Sequence, residues 1–370
     1  MTAALSFADR SDLVSLALRQ PMRLSSLRLS DWDLLVRQAR RADLLGRIAA
    51  ILDAQGSLDL VPPAPRAHLR AALALTEAQH AEVHRELDHI ERAIAPTGVV
   101  PVLLKGAAYV AAGALPALGR SMSDIDILVP HERLAEVEAA LMAAGWATTH
   151  HSAYDQRYYR EWMHELPPMQ HLRRQTVLDV HHAIVPLTAR VKTSADALLA
   201  QATVLPARPC FAVLGPLDMV LHSMVHLFHN DDLSHALRDL SDLDLLLRQG
   251  GRDPAFWPAL QARARELGLV RVLQYGLRYT ASHLGTPVPP AALAVARQLG
   301  PAWPLRALAD ALWSRALRPQ HTLSADAWSP LARGTLYLRA HWLRMPLPLL
   351  LRHIVVKALR LHESAGAARP

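Results

Sequence analysis

Apolar residues recur at helical spacing toward both ends of this chain of 370 residues. Residues 31–53 and 66–95 place apolar side chains three or four positions apart, which is the pattern of an amphipathic helix. After Pro216 the helical spacing returns and continues, with breaks, to the end of the chain. The sequence therefore predicts an all-helical region over 1–95 and a helical domain over 216–370.

The pattern changes between these helical regions, over residues 96–215. Short apolar or alternating runs, which are typical of strands, are separated by a helix of small residues that opens at Gly106 and by a helical pattern from His131 to Ala144. The predicted strands are 99–104, 124–129, 146–150, 154–160 and 176–184. This alternation predicts an α+β fold, in which a small mixed β-sheet core is flanked by N-terminal helices and a C-terminal helical domain.

Composition narrows the class of protein. Hydrophobic residues make up 51% of the chain and charged residues 20%, so a sizeable core is expected and wholesale disorder is excluded. Cys210 is the single cysteine, which excludes an internal disulfide framework and fits a cytoplasmic location. No uncharged apolar run is long enough to cross a bilayer, so we expect no stable membrane insertion.

The net charge of +7 comes entirely from the C-terminal end. Residues 1–300 hold 30 basic and 30 acidic residues, whereas residues 301–370 hold 10 basic and 3 acidic residues. A basic segment favours a polyanionic partner, and RNA or an anionic membrane surface would meet that description. A solvated charged face explains the same excess without any partner.

The strongest candidate chemistry lies in residues 103–129. Asp124 and Asp126 are two positions apart on a predicted strand, so their side chains lie on the same face. Neighbouring carboxylates repel each other unless a cation lies between them, and such hard oxygen ligands favour Mg²⁺. Asp179 lies in another alternating strand, where it can share the metal or accept a proton from an attacking hydroxyl.

Residues that can bind phosphate surround these acids. Lys105 and Gly106 follow the first predicted strand and begin a helix, whose free backbone amides attract anions. Lys105 is one of only three lysines among 40 basic residues, which points to a tight contact that arginine does not fit. Arg120, Ser121 and Ser123 precede the two acids on the loop that enters their strand.

Histidines form a second group of candidates. His181 shares the strand face of Asp179, so it can orient that acid or contact phosphate, unless it is a histidine of the core. His222, His226 and His229 lie at positions i, i+4 and i+7 of one predicted helix. This spacing suits a zinc site, a wall that faces substrate, or a polar stripe that packs beside the site.

Further residues leave their roles open. Arg238 and Asp242 have the spacing of an ion pair within one helix. His164 and Glu165 can reach the site from a loop. A cluster of aromatic residues suits either stacking on a base or an ordinary core; its members are Tyr154, Tyr158, Tyr159 and Trp162.

The runs LKG at 104–106, DIDILV at 124–129 and LDVHH at 178–182 resemble a known family. They are similar to the bacterial uncharacterised nucleotidyltransferases, within the superfamily that has the DNA-polymerase-β-like fold. The resemblance extends over roughly residues 30–250. It implies that Asp124, Asp126 and Asp179 bind Mg²⁺, with Mn²⁺ as a substitute, and that Asp179 activates the acceptor hydroxyl.

The resemblance also implies an NTP co-substrate, with phosphate contacts from Lys105, Gly106, Arg120 and Ser123. Lys105-Gly106 stands where the wider superfamily carries a Gly-Ser pair. We therefore expect a Mg²⁺-dependent nucleotidyltransferase that acts on a hydroxyl of a small molecule, peptide or protein. An RNA-modifying or tRNA-modifying enzyme is one alternative, and a nucleotide-binding module without catalysis is the other.

Overall fold

A seven-stranded mixed sheet with flanking helices forms the centre of the protein, which confirms the predicted α+β fold. The computed structural model describes residues 6, 10–149, 152–298, 300–346, 348 and 350. Four basic residues of the C-terminal segment lie outside these residues: Arg352, Lys357, Arg360 and Arg369.

The N-terminal region is helical, as its periodicity predicts. Its helices are α1 (Leu13–Arg19), α2 (Leu29–Arg41), α3 (Leu45–Ala54) and α4 (Pro63–Ile94). The predicted helix over 31–53 is in fact the pair α2 and α3, because Asp43 adopts a positive φ of 57° between them. Such a left-handed residue cannot continue an α-helix, so the chain turns there.

The sheet has the strand order β3-β4-β5-β2-β1-β7-β6. Its strands are β1 (Val102–Leu104), β2 (Asp124–Leu128), β3 (Trp146–Thr148), β4 (Met169–His171), β5 (Val177–His181), β6 (Thr203–Leu205) and β7 (Arg208–Val213). At the centre, β2 is parallel to β5 and antiparallel to β1, and β1 is parallel to β7. The buried β2 therefore has a hydrogen-bonded neighbour on each side.

Four helices connect the strands: α5 (Lys105–Ala111), α6 (Leu134–Ala143), α7 (Ala153–Trp162) and α8 (Ala195–Leu199). The strand predicted over 154–160 was wrong, because this segment lies within α7. Tyr154, Tyr158 and Trp162 recur every four residues, and neighbouring ring centroids along this row are 6.5 and 6.0 Å apart. This helical packing of aromatic rings outweighs the apparent alternation of the sequence.

The C-terminal region is helical, as predicted. Its helices are α9 (Pro216–His229), α10 (Ala236–Gly250), α11 (Phe256–Glu266), α12 (Val270–Tyr279), α13 (Pro290–Gln298), α14 (Trp303–Ala316) and α15 (Ser329–Arg344). One continuous hydrophobic core extends from Leu13 to Leu336, and the domain boundaries proposed from sequence stay a prediction. None of the helices in the described ranges has the length and hydropathy of a membrane span.

Candidate functional site

Three carboxylates share one face of the central strands. In the parallel pairing of β2 and β5, Asp126 lies directly beside Asp179. Asp124 lies two residues earlier on β2, so its side chain projects from the same face as that of Asp126. The structure thus places on one face the three acids that the sequence singled out, although Asp126 and Asp179 are 53 positions apart in the chain.

Lys105 is bonded to the central acid of this group. Its Nζ lies 2.7 Å from Asp126 Oδ1, and the Asp126 side chain is only 3% exposed. Burial favours the neutral amine, but the Asp126 carboxylate outweighs burial and raises the pKa of Lys105. The backbone of Lys105 has a φ of 47°, a conformation that residues other than glycine rarely adopt. The turn from β1 into α5 thus directs this ammonium group at the acids.

His181 bridges two carboxylates. Its Nε2 lies 2.9 Å from Asp126 Oδ1, and its Nδ1 lies 3.3 Å from Glu165 Oε2. Burial disfavours the imidazolium, but the bond to Asp126 and the charge of Glu165 outweigh burial and raise the pKa of His181. In turn, burial disfavours ionised Asp126, while Lys105 and His181 hold its pKa well below the usual range. These four side chains form a row in which nitrogen donors alternate with carboxylates.

Glu165 enters the site from a position that the hydrophobic pattern does not mark as a strand. Its backbone pairs with that of His181 in an isolated antiparallel bridge, which carries the Glu165 side chain to the imidazole. The sequence raised His164 and Glu165 only as residues within reach of the site. The pairing of an irregular segment with β5 has no periodic signal, so the spacing of residues could not reveal this contact.

Asp179 has the chemistry of a cation ligand. Its Oδ1 is buried and has no hydrogen-bond partner among the described residues. Burial, together with the negative charges of Asp126 and Glu165, raises the pKa of Asp179 to about 7. A divalent cation would satisfy this oxygen and relieve the repulsion between neighbouring carboxylates. The acids present therefore fit the Mg²⁺ or Mn²⁺ expected from the sequence.

A cavity of about 490 Å³ opens beside Asp124 and Asp126. The candidates for phosphate contact on its wall are Lys105, Gly106, Arg120, Ser121 and Ser123. Ser123 Oγ lies 3.0 Å from Asp124 Oδ1 and donates a hydrogen bond to it. We refer to this space as the phosphate cavity, because the residues predicted to contact phosphate line it.

Gly106 allows close packing at the wall of the phosphate cavity. A Cβ atom at this position would clash with Arg120 Nη1 and would lie 2.5 Å from Met122 Sδ. Any larger residue would therefore require the Arg120 and Met122 side chains to shift. Gly106 thus leaves the space that the neighbouring Arg120 side chain occupies.

Arg120 is held by a buried acid. Its Nε donates to Asp242 Oδ2 at 2.7 Å, and Arg47 Nη1 lies 2.8 Å from Asp242 Oδ1. The Arg120 residue is 8% exposed, so its charge is compensated within the wall of the cavity. The phosphate contact of Arg120 stays a prediction.

Arg238 does not use Asp242 in the way that their spacing suggested. Its guanidinium lies 2.9 Å from Asp43 and 3.2 Å from Asp239. Asp242 instead faces Arg47 of α3 and the Arg120 loop. Both side chains therefore connect α10 with other parts of the chain, and within the helix Arg238 contacts Asp239 instead of Asp242.

A second cavity, of about 560 Å³, lies beside Asp179 and His181. The three α9 histidines, His222, His226 and His229, line it. A separate group of side chains that could hold a metal also lies among the described residues. It comprises His164, Glu165 and His181, whose nearest ligand atoms lie within 4.8 Å of one another. We refer to this space as the histidine cavity.

Comparison with known proteins adds one relationship. The model of a family described as uncharacterised nucleotidyltransferases matches residues 29–285. This span runs from α2 through the sheet and α9–α12, and it contains every site residue that the sequence predicted. No curated protein and no solved structure matches the chain.

Proposed function

Since this chain belongs to the uncharacterised nucleotidyltransferase family, we propose that it transfers a nucleoside monophosphate from an NTP to an acceptor hydroxyl with the help of Mg²⁺ or Mn²⁺. The observation that carries this proposal is the pairing of Asp126 with Asp179 on parallel strands, with Asp124 on the same face. Carboxylates so arranged repel one another, which a divalent cation would relieve, and Asp124 and Asp126 border a cavity large enough for a nucleotide.

Each part of the site has a role in this proposal. Asp124, Asp126 and Asp179 hold the divalent cation, which when bound supplies positive charge to the phosphate oxygens. The phosphates lie in the phosphate cavity, where Gly106 permits a close approach of the backbone and Ser121 and Ser123 provide hydroxyl donors.

The proposed reaction replaces a phosphoanhydride bond with a phosphoester bond. The acceptor oxygen forms a bond to the α-phosphorus, while the bond from that phosphorus to the bridging oxygen of the β-phosphate breaks. Pyrophosphate leaves with the electron pair of the broken bond. The hydroxyl proton goes to Oδ2 of Asp179, since the buried Oδ1 is left for the cation.

Lys105 and His181 hold Asp126 in place during these steps. Both donate to Asp126 Oδ1, so the second carboxylate oxygen, Oδ2, is left for the cation. The charge of Lys105 also reduces the repulsion that Asp126 exerts on Asp179. This positioning supports the carboxylate pair even before substrate binds.

The test is transfer of label from α-³²P-NTPs by the full-length protein, with Mg²⁺ or Mn²⁺ and with fractionated cell lysate as the source of acceptors. Protease and nuclease treatment of the labelled product then assigns its class. We expect Asp126→Asn and Asp179→Asn to reduce transfer at least 100-fold, which is the lower end of the usual contribution of acid–base groups.

Glu132→Gln is the matched control, because this exposed carboxylate lies on the turn after β2 and lines neither cavity. It should retain the transfer activity of the wild type. Stable binding of NTP without any labelled product would instead support the non-catalytic module. Label that only nuclease releases would support the RNA-modifying alternative.

A further inference from the structure

The two cavities share part of their walls. Lys105, His226 and Asn230 line both of them. Asp124 and Asp126 border only the phosphate cavity, whereas Asp179 borders only the histidine cavity. If NTP occupies the first space, an acceptor in the second would present its hydroxyl on the side of Asp179. The division of the acids between the cavities thus separates two substrates.

Aromatic and aliphatic side chains form one wall of the histidine cavity. Tyr154, Tyr158 and Tyr159 project from α7, and Ile184 and Val185 follow β5. Such a wall buries the apolar face of a ligand, and tyrosine rings pack well against the C–H faces of cyclic molecules. The volume of about 560 Å³ suits a ligand of small-molecule size.

Neutral imidazoles are among the polar groups that line this cavity. Burial lowers the pKa of His222 well below the usual range. Burial, with the nearby charges of Arg339 and Arg344, lowers the pKa of His229 to about 4. At neutral pH each of these rings therefore offers one N–H donor and one lone-pair acceptor. That combination matches a hydroxyl group, which is also both a donor and an acceptor.

The fixed cations of this cavity are already bound to carboxylates. Arg344 Nη1 lies 2.7 Å from Asp231 Oδ1, and Lys105 bonds to Asp126. These are the only arginine and lysine side chains among the described residues that line the histidine cavity. An acceptor phosphate or carboxylate would consequently find no uncommitted guanidinium or ammonium there. This absence disfavours an RNA strand and favours a neutral ligand.

We propose that the histidine cavity binds the acceptor and that the acceptor is a small neutral polyol of the sugar or cyclitol class. The proposal rests on the proposed function and extends it to the second substrate. One hydroxyl of the polyol lies toward Asp179 and attacks the α-phosphorus as written above. The other hydroxyls bond to the imidazoles, and the ring face packs on the tyrosines.

The first measurement needs no catalysis. Saturation-transfer NMR with the full-length protein would probe a panel of monosaccharides, disaccharides and cyclitols, with a nucleoside, a carboxylated sugar and a short RNA as comparisons. We expect transfer of saturation to neutral polyols. Signals confined to the RNA or to the carboxylated sugar would overturn the proposal.

The second measurement uses variants in the labelled transfer assay with the polyol that binds best. Tyr159→Ala and His229→Ala should each raise the acceptor KM at least tenfold while leaving NTP affinity within twofold of the wild type. Trp328→Ala is the control, since this tryptophan is 63% exposed and lines neither cavity. An unchanged acceptor KM in both cavity variants would overturn the assignment of the cavity.

The two proposals fail in different ways. Polyol binding by NMR without label transfer from any NTP to any acceptor would overturn the proposed function and uphold the polyol site. Label transfer to protein or RNA, with no NMR signal from any polyol, would uphold the nucleotidyltransferase and overturn the polyol acceptor. Because His229 is buried, Tyr159→Ala provides the half-buried second variant should His229→Ala fail to fold.

Discussion

Lys105 Nζ lies 2.7 Å from Asp126 Oδ1 while the Lys105 backbone is held at a φ of 47°. Left-handed backbone at a residue other than glycine costs on the order of 1–3 kcal/mol. The surrounding fold therefore maintains a strained turn that directs an ammonium group at the central carboxylate. Strain of this kind is concentrated at functional sites, where the fixed geometry has a use.

Lys105→Ala should lower the free energy of unfolding by about 3 kcal/mol, because a buried carboxylate that loses its partner is strongly destabilising. Asp126 is only 3% exposed and would be left with the bond from His181. Mg²⁺ should raise the Tm of this variant more than that of the wild type, since the cation replaces the missing charge. Thermal unfolding with and without Mg²⁺ measures both effects.

Lys192→Ala is the control for the loss of a lysine, because Lys192 Nζ bonds to the backbone oxygen of Leu187 at the surface. Its unfolding free energy should stay within about 0.5 kcal/mol of the wild type. Equal Mg²⁺ shifts in Lys105→Ala and the wild type would contradict the interpretation that lysine and metal share the charge of Asp126.

Gly106→Ala should destabilise the protein by about 1–3 kcal/mol, the usual effect of inserting a methyl group into a packed region. The new Cβ would meet Arg120 and Met122. NTP binding should weaken as well, because the same loop lines the phosphate cavity. Denaturant unfolding and a titration with NTP, each compared with the wild type, measure the two effects.

Gly334→Ala is the matched glycine control. Gly334 lies within α15, and a Cβ at this position would contact nothing within 4 Å. Alanine there should stabilise the protein by about 0.5–1 kcal/mol, because glycine is a poor helix former. A loss of stability of the same size in both variants would show that the packing of Arg120 against Gly106 is not the cause.

Much of the fold could be predicted because long helices and the central strands have a clear period. The pattern over 66–95 corresponds to α4, and the alternation of 124–129 corresponds to β2. The short strands β4 and β6 have three residues each, which is too few to display a period. Their place in the sheet depends on neighbouring strands, and this information is not local in sequence.

The candidate site was likewise predictable only where its residues follow a local spacing. Asp124 and Asp126 were recognisable because spacing by two places them on one strand face, and Asp179 because its strand also alternates. The contacts that determine charge in the site could not be seen, since they join distant positions. The bond of Glu165 to His181 depends on an irregular segment, and the bond of Asp242 to Arg120 joins positions 122 residues apart.

Asp242→Asn should be among the most destabilising single substitutions, with a loss of about 3–5 kcal/mol. The carboxylate lies between Arg47 and Arg120, which are 1% and 8% exposed, so both guanidinium groups would lose their counter-charge. Chemical denaturation followed by circular dichroism measures the loss.

Asp33→Asn provides the comparison for Asp242→Asn. Asp33 pairs with Arg37 in α2, and both side chains are more than half exposed. Its removal should cost no more than about 0.5 kcal/mol, because surface pairs within a helix contribute little. Similar losses from the two substitutions would contradict the view that the Asp242 pairs act through burial.

Glu86 connects α4 to the turn between β4 and β5. Arg174 donates to both of its carboxylate oxygens at 2.8 Å, and Thr176 Oγ1 donates to Oε1 at 2.9 Å. Burial raises the pKa of Glu86, but Arg174 and Thr176 outweigh burial and lower the pKa below the ordinary value of 4.5. The ionised form is therefore bound more strongly in the folded protein than in the unfolded chain.

Glu86→Gln should accordingly lower the free energy of unfolding by about 1.5–3 kcal/mol at pH 7, the usual worth of hydrogen bonds to a charged group. Because the folded pKa lies below the unfolded one, the advantage of the wild type is complete above pH 4.5 and is lost as the pH falls through the folded pKa. Urea unfolding of both proteins from pH 7 to pH 3 should show the two stabilities converging in acid. Glu82→Gln, at an exposed pair with Arg85 on the same helix, should match the wild type throughout. If the difference in unfolding free energy between Glu86→Gln and the wild type stayed constant down to pH 3, the charge of Glu86 would not be its cause.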